Sequence, residues 1–219
     1  MSHLHSPNWH PVQQPPPPGS DEIHLWHASL AALPCAPDRL ASEEQARLER
    51  LAEPAARRAF CAARTLLRRL LGGYLGCAPE AVRIRLDAQG RPHLADPALD
   101  FNLSHAGGQL LLAFSRGRRV GVDCEALRPV QGMARIARRL FDAEERGHWE
   151  RNGTSPEGFF RAWTRLEARQ KCLGEGLFAR RVAPAEVSCR SFEVAGLPAC
   201  VAWSPPGEVR IRFLRPRPV

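Results

Sequence analysis

Between residues 81 and 125 the chain reads as four strand-like stretches, AVRIRLD, FNLSH, QLLLAFS and RRVGVDCE, with Gly90, Gly107, Gly108 and Gly117 as punctuation. Apolar residues alternate or run on within each stretch, and glycine supplies the backbone freedom that tight turns between strands need. What flanks this block sets the fold class. Upstream, IHLWHASL at 23–30 has strand-like spacing, Ser42 with Gln45 predicts a capping box for a helix to about Leu51, and Pro54 fits the first turn of a second helix that stops at its glycines. Downstream, 132–141 reads as a helix, Asp142 with Glu145 caps a shorter one, and Ser155-Pro156 opens a long one through Cys172 to Gly174. Three strand-like stretches, EVSCRSFEV, ACVAWS and EVRIRFL, close the chain. Helices followed by strands, and then the same order again, predict an α+β fold of two halves packed together, 21–116 and 117–219, with no strong internal sequence repeat. Residues 1–20, with four consecutive prolines from Pro15 to Pro18, are expected to form a disordered, proline-rich tail.

Composition narrows the class of function. A chain of 219 residues, 44% of them hydrophobic, can bury a sizeable core. No apolar run of 18 or more residues is present and the N-terminus lacks the charged and apolar regions of a signal peptide, so no membrane association and a cytoplasmic location are expected. The seven cysteines are scattered, odd in number and without a C-x-x-C pair, which points to small buried hydrophobes rather than a disulfide framework or a zinc site. A net charge of +8 and a pI near 9.8 call for an acidic partner: nucleic acid, a phosphorylated small molecule or an acidic protein. Nucleic-acid binding would favour aromatic residues among the basic runs for stacking on bases, and Arg57 to Arg69 offers only Phe60, so no nucleic acid is expected.

Of the 31 lysines and arginines only Lys171 is a lysine. Where either cation serves, this chain uses arginine; a surviving lysine marks a place where a compact ammonium with a tunable pKa matters, unless it survives by chance. Trp163, Glu167 and Lys171 are spaced by four along the long helix and so share a face, although glutamate four residues before lysine is also an ordinary surface pair. In GVDCE, Asp123 and Glu125 lie two apart on a strand and point the same way. Two carboxylates on one patch suit a hard divalent cation such as Mg²⁺, or are merely two solvated acids at a strand end. Ser104-His105, after a strand and before Ala-Gly-Gly, could bind phosphate oxygens or simply satisfy a turn. Arg57, Arg58, Arg64, Arg68 and Arg69 make a basic helix, and Gly90-Arg91-Pro92 is a tight turn carrying one cation.

Taken together, GRP (90–92), FNLSH (101–105), GVDCE (121–125), RRLFDAEE (138–145) and WTRLEARQKCLGEGL (163–177) resemble, in order and spacing, the Sfp-type 4'-phosphopantetheinyl transferases. The resemblance extends more loosely to the basic helix and leaves out the proline-rich tail. It implies two α+β halves related by a pseudo-twofold axis with the active site in the cleft between them. It also implies transfer of the 4'-phosphopantetheine arm of coenzyme A to a serine hydroxyl of an acidic acyl, peptidyl or aryl carrier protein, releasing adenosine 3',5'-bisphosphate, by a protein for which a monomer suffices. By position, Asp123, Glu125 and Glu167 would hold Mg²⁺, with Mn²⁺ as a substitute. Glu167 would act as base on the incoming serine, and Lys171 would stabilise or protonate the departing phosphate. Ser104 and His105, with Arg58, Arg64 and Arg91, would grip the 3'-phosphate and nearby parts of coenzyme A, and Thr65 falls where the family contacts the nucleotide. One departure stands out: the family commonly has lysine just before the metal-binding glutamate, and here that position is Leu166. A phosphate contact is then missing unless Arg165 or Arg169 reaches the same space, and a relative that binds coenzyme A or a carrier without efficient transfer is the alternative.

Overall fold

The computed structural model describes residues 4–97, 99–151, 153–174 and 186–217. Its elements run in the order β1 (His10–Val12), β2 (Glu22–Ser29), α1 (Ser42–Arg50), α2 (Pro54–Leu75), β3 (Ile84–Leu86), β4 (Pro92–Leu94), β5 (Leu99–Ala106), β6 (Gln109–Arg116), β7 (Arg119–Cys124), α3 (Met133–Leu140), α4 (Ala143–Arg151), α5 (Pro156–Leu173), β8 (Ser188–Val194), β9 (Leu197–Ser204) and β10 (Arg210–Pro216). Five strands form one sheet in the order β1-β10-β2-β6-β5, three form a second in the order β7-β9-β8, and β3 with β4 makes a separate ribbon. The fold is the expected mixed α+β class.

Local chemistry sets the helix ends. Before α4, the Asp142 carboxylate accepts from the Glu145 N–H at 2.8 Å and the Glu145 carboxylate accepts from the Asp142 N–H at 3.0 Å, a reciprocal cap. At α5, Ser155 Oγ accepts from the Gly158 N–H at 3.1 Å, Pro156 fills the first turn, and Gly174 ends the helix in a left-handed conformation with φ of 73°. The cap of α1 lies one residue earlier than the sequence suggested: Ala41 precedes the helix, and its N–H donates to the Glu44 carboxylate at 3.2 Å. Gln45 instead donates to the carbonyls of Pro37 and Leu40.

Packing arranges these elements in four layers. Helix α2 lays Leu66, Leu67, Leu70 and Tyr74 over one face of the large sheet, against Trp26, Phe101 and Phe114. The opposite face presents Ile23, Leu25, Leu111 and Ala113 to Val122, Phe192 and Val201 of the small sheet. Helix α5 covers the outer side of the small sheet with Ala168 and Cys172. Full burial of each large side chain here contributes about 1.5–3 kcal/mol. One polar chain runs through the first interface: Trp26 Nε1 donates to the Tyr74 hydroxyl at 2.8 Å, that hydroxyl lies 2.8 Å from His24 Nδ1, and His24 Nε2 faces the Glu22 carboxylate at 3.3 Å. If Tyr74 donates to Nδ1, the proton of the neutral ring sits on Nε2, and burial pushes the His24 pKa down to about 4.

Three expectations need correction. Residues 1–20 are not an unpacked tail throughout. Strand β1 pairs in parallel with β10, Pro15 and Pro18 are buried, and the Trp9 ring lies 5.3 Å from Phe213 and 6.3 Å from Phe192. A sheet edge from β10 and the rings of Phe192 and Phe213, all near the other end of the chain, stabilise the segment. The last strand also crosses from the second half into the sheet of the first, because β10 pairs in parallel with β2. Finally, the cysteines are not all free thiols: Cys35 and Cys61 form a disulfide that ties the loop before α1 to α2, 26 residues away in sequence.

Candidate active site

The two sheets meet where β5 faces β7, and side chains do the joining. Alternate residues of β5 share one face, so Asp100, Asn102 and Ser104 point together at β7. Asp100 accepts from the Val120 N–H at 2.7 Å, Asn102 Oδ1 accepts from the Val122 N–H at 3.0 Å, and Ser104 Oγ donates to Asp123 Oδ1 at 2.8 Å. Asp100 and Asn102 thus replace a missing neighbouring strand along the edge of β7 that β9 leaves free, and Ser104 fixes the Asp123 carboxylate.

From the other side comes α5. Gly121 in β7 permits its approach: a Cβ there would lie 2.0 Å from the Ala168 carbonyl oxygen and 2.4 Å from the Cys172 nitrogen. The close packing of helix on strand carries Lys171 into the joint. Its ammonium lies 2.6 Å from Asp123 Oδ1, 3.4 Å from a Glu167 carboxylate oxygen and 3.4 Å from Ser104 Oγ. Lys171 and Glu167 do share a helix face, as the four-residue spacing predicts. Trp163, one turn earlier, stacks on Phe159 at 5.9 Å and belongs to the core of the C-terminal helices.

Electrostatics at this joint is strongly coupled. Asp123 is almost fully buried and its pKa stands at about 6: loss of water raises it most, the Lys171 charge pulls it down, Glu167 raises it, and the hydrogen bonds from Lys171 and Ser104 lower it. Burial works against the charged form of Lys171, but Asp123 and Glu167 outweigh it and hold the ammonium above the ordinary lysine value. Asp123 Oδ2 is buried and has no hydrogen-bond partner, which is the condition of an oxygen suited to accept a further cation or donor. His105 stands at the exposed end of β5, and loss of water followed by the Lys171 charge hold its pKa below the usual histidine value.

Beside Lys171 opens a cavity of about 260 Å³ whose walls include Gly90, Arg91, Leu103 and Gly174. Arg91 lies in its wall but is already bound: its guanidinium donates to Asp100 at 2.7 Å and to the Val120 carbonyl at 3.1 Å, bracing β5 against β7. The turn GRP therefore has a structural task that sequence spacing did not show. The second glycine of LGEGL, Gly176, lies outside the described residues.

Not every expected residue gathers here. Glu125 follows β7 and its carboxylate pairs with Arg128 at 2.6 Å. Among the described residues no three His, Cys, Asp or Glu side chains are grouped as a metal site. Arg64 faces Glu44 at 3.6 Å and stands over the Phe60 ring, Thr65 Oγ1 accepts from the Ala36 N–H at 3.1 Å, and Arg58 donates to the carbonyls of Ala31 and Leu33. All three hold local structure around α2. Leu166 faces inward among Phe159, Phe160 and Trp149, and Arg169 is buried against Asp142 and Glu145 at 3.1 and 3.2 Å, so Arg169 is committed to the cap of α4. Arg165 reaches Glu144 at 3.5 Å. The residues that sequence reading overlooked are Asn102 and Asp100. The alternation in LDFNLSH was their signal, since a strand with one apolar face put three polar side chains on the other.

A joint between two α+β units that concentrates a lysine, two carboxylates and a serine beside a cavity is a site built for chemistry on a charged group. Comparison with known proteins gives the family. Residues 24–116 match the model of the 4'-phosphopantetheinyl transferase N-terminal region, and residues 119–197 match that of the 4'-phosphopantetheinyl transferase superfamily. The chain is 36% identical over 207 residues to the 4'-phosphopantetheinyl transferase HetI of Nostoc sp. (strain PCC 7120), covering 87% of this chain and 85% of HetI. It is 37% identical over 112 residues to the 4'-phosphopantetheinyl transferase AcpT of Escherichia coli (strain K12), covering 49% of this chain and 55% of AcpT. Over 169 residues it is 28% identical to the human L-aminoadipate-semialdehyde dehydrogenase-phosphopantetheinyl transferase, covering 69% of this chain and 54% of that protein. The chain belongs to the 4'-phosphopantetheinyl transferase superfamily and is an enzyme of that class.

Proposed function

We propose that the chain transfers the 4'-phosphopantetheine arm of coenzyme A to a serine hydroxyl of an acidic carrier protein, with Mg²⁺ as cofactor and adenosine 3',5'-bisphosphate as the second product. The observation that carries this reading is the contact of Lys171 with Asp123, Glu167 and Ser104 beside the cavity walled by Arg91. In the reaction the serine oxygen bonds to the β-phosphorus of coenzyme A and the bond from that phosphorus to the bridging oxygen breaks. The serine proton passes to Glu167, directly or through water, and the charge that grows on the departing phosphate is met by Lys171, which its carboxylate neighbours keep protonated. Asp123 and Glu167 suit a hard cation by their oxygen donors and by the unpartnered Asp123 Oδ2, and Glu125 would complete the set on leaving Arg128. Mg²⁺, or Mn²⁺ in its place, would neutralise the pyrophosphate charge. Ser104, His105 and Arg91 border the place where the nucleotide end would lie, while Arg58, Arg64 and Thr65 would have to give up their present partners to join them.

The wider reading keeps two halves, 21–116 and 117–219, except that β1 and β10 complete the sheet of the first, together with a monomer in the cytoplasm and a basic surface that meets an acidic carrier protein. Among the described residues no helix is long and apolar enough to cross a membrane. Phe60, the aromatic residue within the basic helix, lies beneath Arg47 and Arg64, which favours a protein partner over stacked bases. The test is release of adenosine 3',5'-bisphosphate from coenzyme A. Release that requires an apo carrier, its acceptor serine and a divalent cation supports the proposal; release that ignores the carrier contradicts it.

A further inference from the structure

Away from the Lys171 joint, on the other edge of the large sheet, lies a cavity of about 790 Å³. Its walls come from the end of β2 and the loop after it, from α2, from the end of β10 and from Trp9 of the N-terminal segment. Strand β6 stands between β2 and β5 in the sheet, and Asp123, Glu167, Lys171, Ser104 and His105 do not line this cavity. The two sites are therefore separate places on the fold.

Among the described residues four arginines line it, Arg58, Arg69, Arg215 and Arg217, and no carboxylate does. Among the described residues none of the four takes part in an ion pair, in a protein where Arg68, Arg91, Arg169 and Arg210 all do. Arg58 donates only to carbonyls, and Arg69 Nε is buried with no hydrogen-bond partner. Burial without a counter-charge pushes the Arg69 pKa below its usual value. His27, also in the wall, is likewise held below the ordinary histidine value by burial and then by the Arg215 charge, although its bond to Gln109 acts the other way. A concentration of uncompensated cations around a recess costs free energy unless an anion shares the space.

We propose that this cavity is a second binding site, for a small molecule carrying several phosphate charges. Its volume lies in the range of small-molecule pockets, which run to about 1,000 Å³. Guanidinium groups from a helix and from a strand end converge there, and such forks bind phosphate oxygens in pairs. Apolar backing from Trp9, Ala28 and Leu33 would accept the uncharged body of the ligand. Arg58 is the one wall residue that the proposed transfer would also draw toward coenzyme A; Arg69, Arg215, Arg217 and His27 have no part in that reaction, so the assignment rests on them.

Calorimetric titration of the full chain with inorganic tripolyphosphate tests it, in the wild type and in the Lys171→Ala, Arg215→Glu and Arg69→Ala variants. Arg215 is exposed, so Arg215→Glu leaves the core untouched. The proposal expects a tripolyphosphate site to persist in Lys171→Ala, whatever binding at the Lys171 joint is lost, and each arginine variant to weaken that persisting site at least about tenfold, as loss of a charge-assisted phosphate contact implies. The His27 ring signals should at the same time titrate at higher pH when tripolyphosphate is bound. Undiminished binding in Arg215→Glu, loss of binding in Lys171→Ala alone, or binding of poly-glutamate in this cavity without binding of tripolyphosphate would overturn it.

Discussion

Lys171 Nζ and Asp123 Oδ1 are 2.6 Å apart, although 48 residues separate them, and they meet because Gly121 lets α5 lie directly on β7. This contact joins the lysine face of a helix to the carboxylate of a strand at the line where the two sheets meet. Each side of the pair sustains the other: Lys171 restrains the rise of the Asp123 pKa, and Asp123 keeps Lys171 charged.

Removing Lys171 leaves a buried carboxylate without its cation and a departing phosphate without its proton source. Lys171→Ala is expected to lower the transfer rate by at least about a hundredfold, the scale of a lost general acid. Lys171→Arg should recover little, because a guanidinium fork does not fit the space of an ammonium and does not give up a proton. Rates measured for both variants at saturating coenzyme A check this, and near-normal turnover in Lys171→Arg would remove the proton-donor role.

Burial pushes the Asp123 pKa up to about 6, against the pull of Lys171. Because the folded chain holds this proton more tightly than the unfolded chain does, the contribution of Asp123 to stability is greatest below the unfolded pKa of about 4 and is lost as pH rises through about 6. Activity follows the opposite course, since the anion is the useful form and a bound cation would favour it: at limiting Mg²⁺ the rate should fall as pH drops through about 6, and the fall should move to lower pH as Mg²⁺ is raised. The Ser104 hydrogen bond favours that anion, and Ser104→Ala should shift the acid limb upward. An acid limb that stays in place as the Mg²⁺ concentration is varied would contradict the assignment.

Gly121→Ala places a methyl group against the backbone of α5 rather than against a yielding side chain. Overpacking of this kind costs about 1–3 kcal/mol or more. Urea unfolding should show the loss, and transfer should fall with it, because α5 cannot move outward without drawing Lys171 from Asp123. An unchanged unfolding midpoint would mean that the close approach is not needed.

Leu166→Lys tests the reading in which the missing family lysine weakens the enzyme. Leu166 is 5% exposed and packs with Phe159, Phe160 and Trp149. An ammonium there enters an apolar cluster, and the expected outcome is destabilisation of about 2 kcal/mol or more with no gain in rate. A several-fold rise in transfer would instead favour the degenerate relative.

Much of this was legible in the sequence for reasons that are local. The Asp142–Glu145 cap, the Ser155 start and the Gly174 stop of α5 are decided within a few residues, and so is the shared face of Glu167 and Lys171. What escaped was decided by distant chain. Strand β1 exists because β10 offers an edge, and nothing in the proline-rich segment states that. The Cys35–Cys61 bond depends on where a loop falls against α2, which spacing among seven cysteines does not encode. Arg91 is a phosphate ligand only by family resemblance; Asp100 and the Val120 carbonyl, nine and 29 residues away, claim it. Glu125 was paired with Asp123 by strand alternation, but β7 ends at Cys124, so its side chain is free to turn to Arg128.

The central claim is most directly tested by the intact mass of an apo carrier protein after incubation with this chain, coenzyme A and Mg²⁺. A gain equal to one phosphopantetheine that disappears with EDTA, with a carrier lacking its acceptor serine, and with Asp123→Ala or Glu167→Ala is the predicted result. A gain that survives Asp123→Ala or Glu167→Ala, or no gain on any carrier while coenzyme A still binds, would contradict the account.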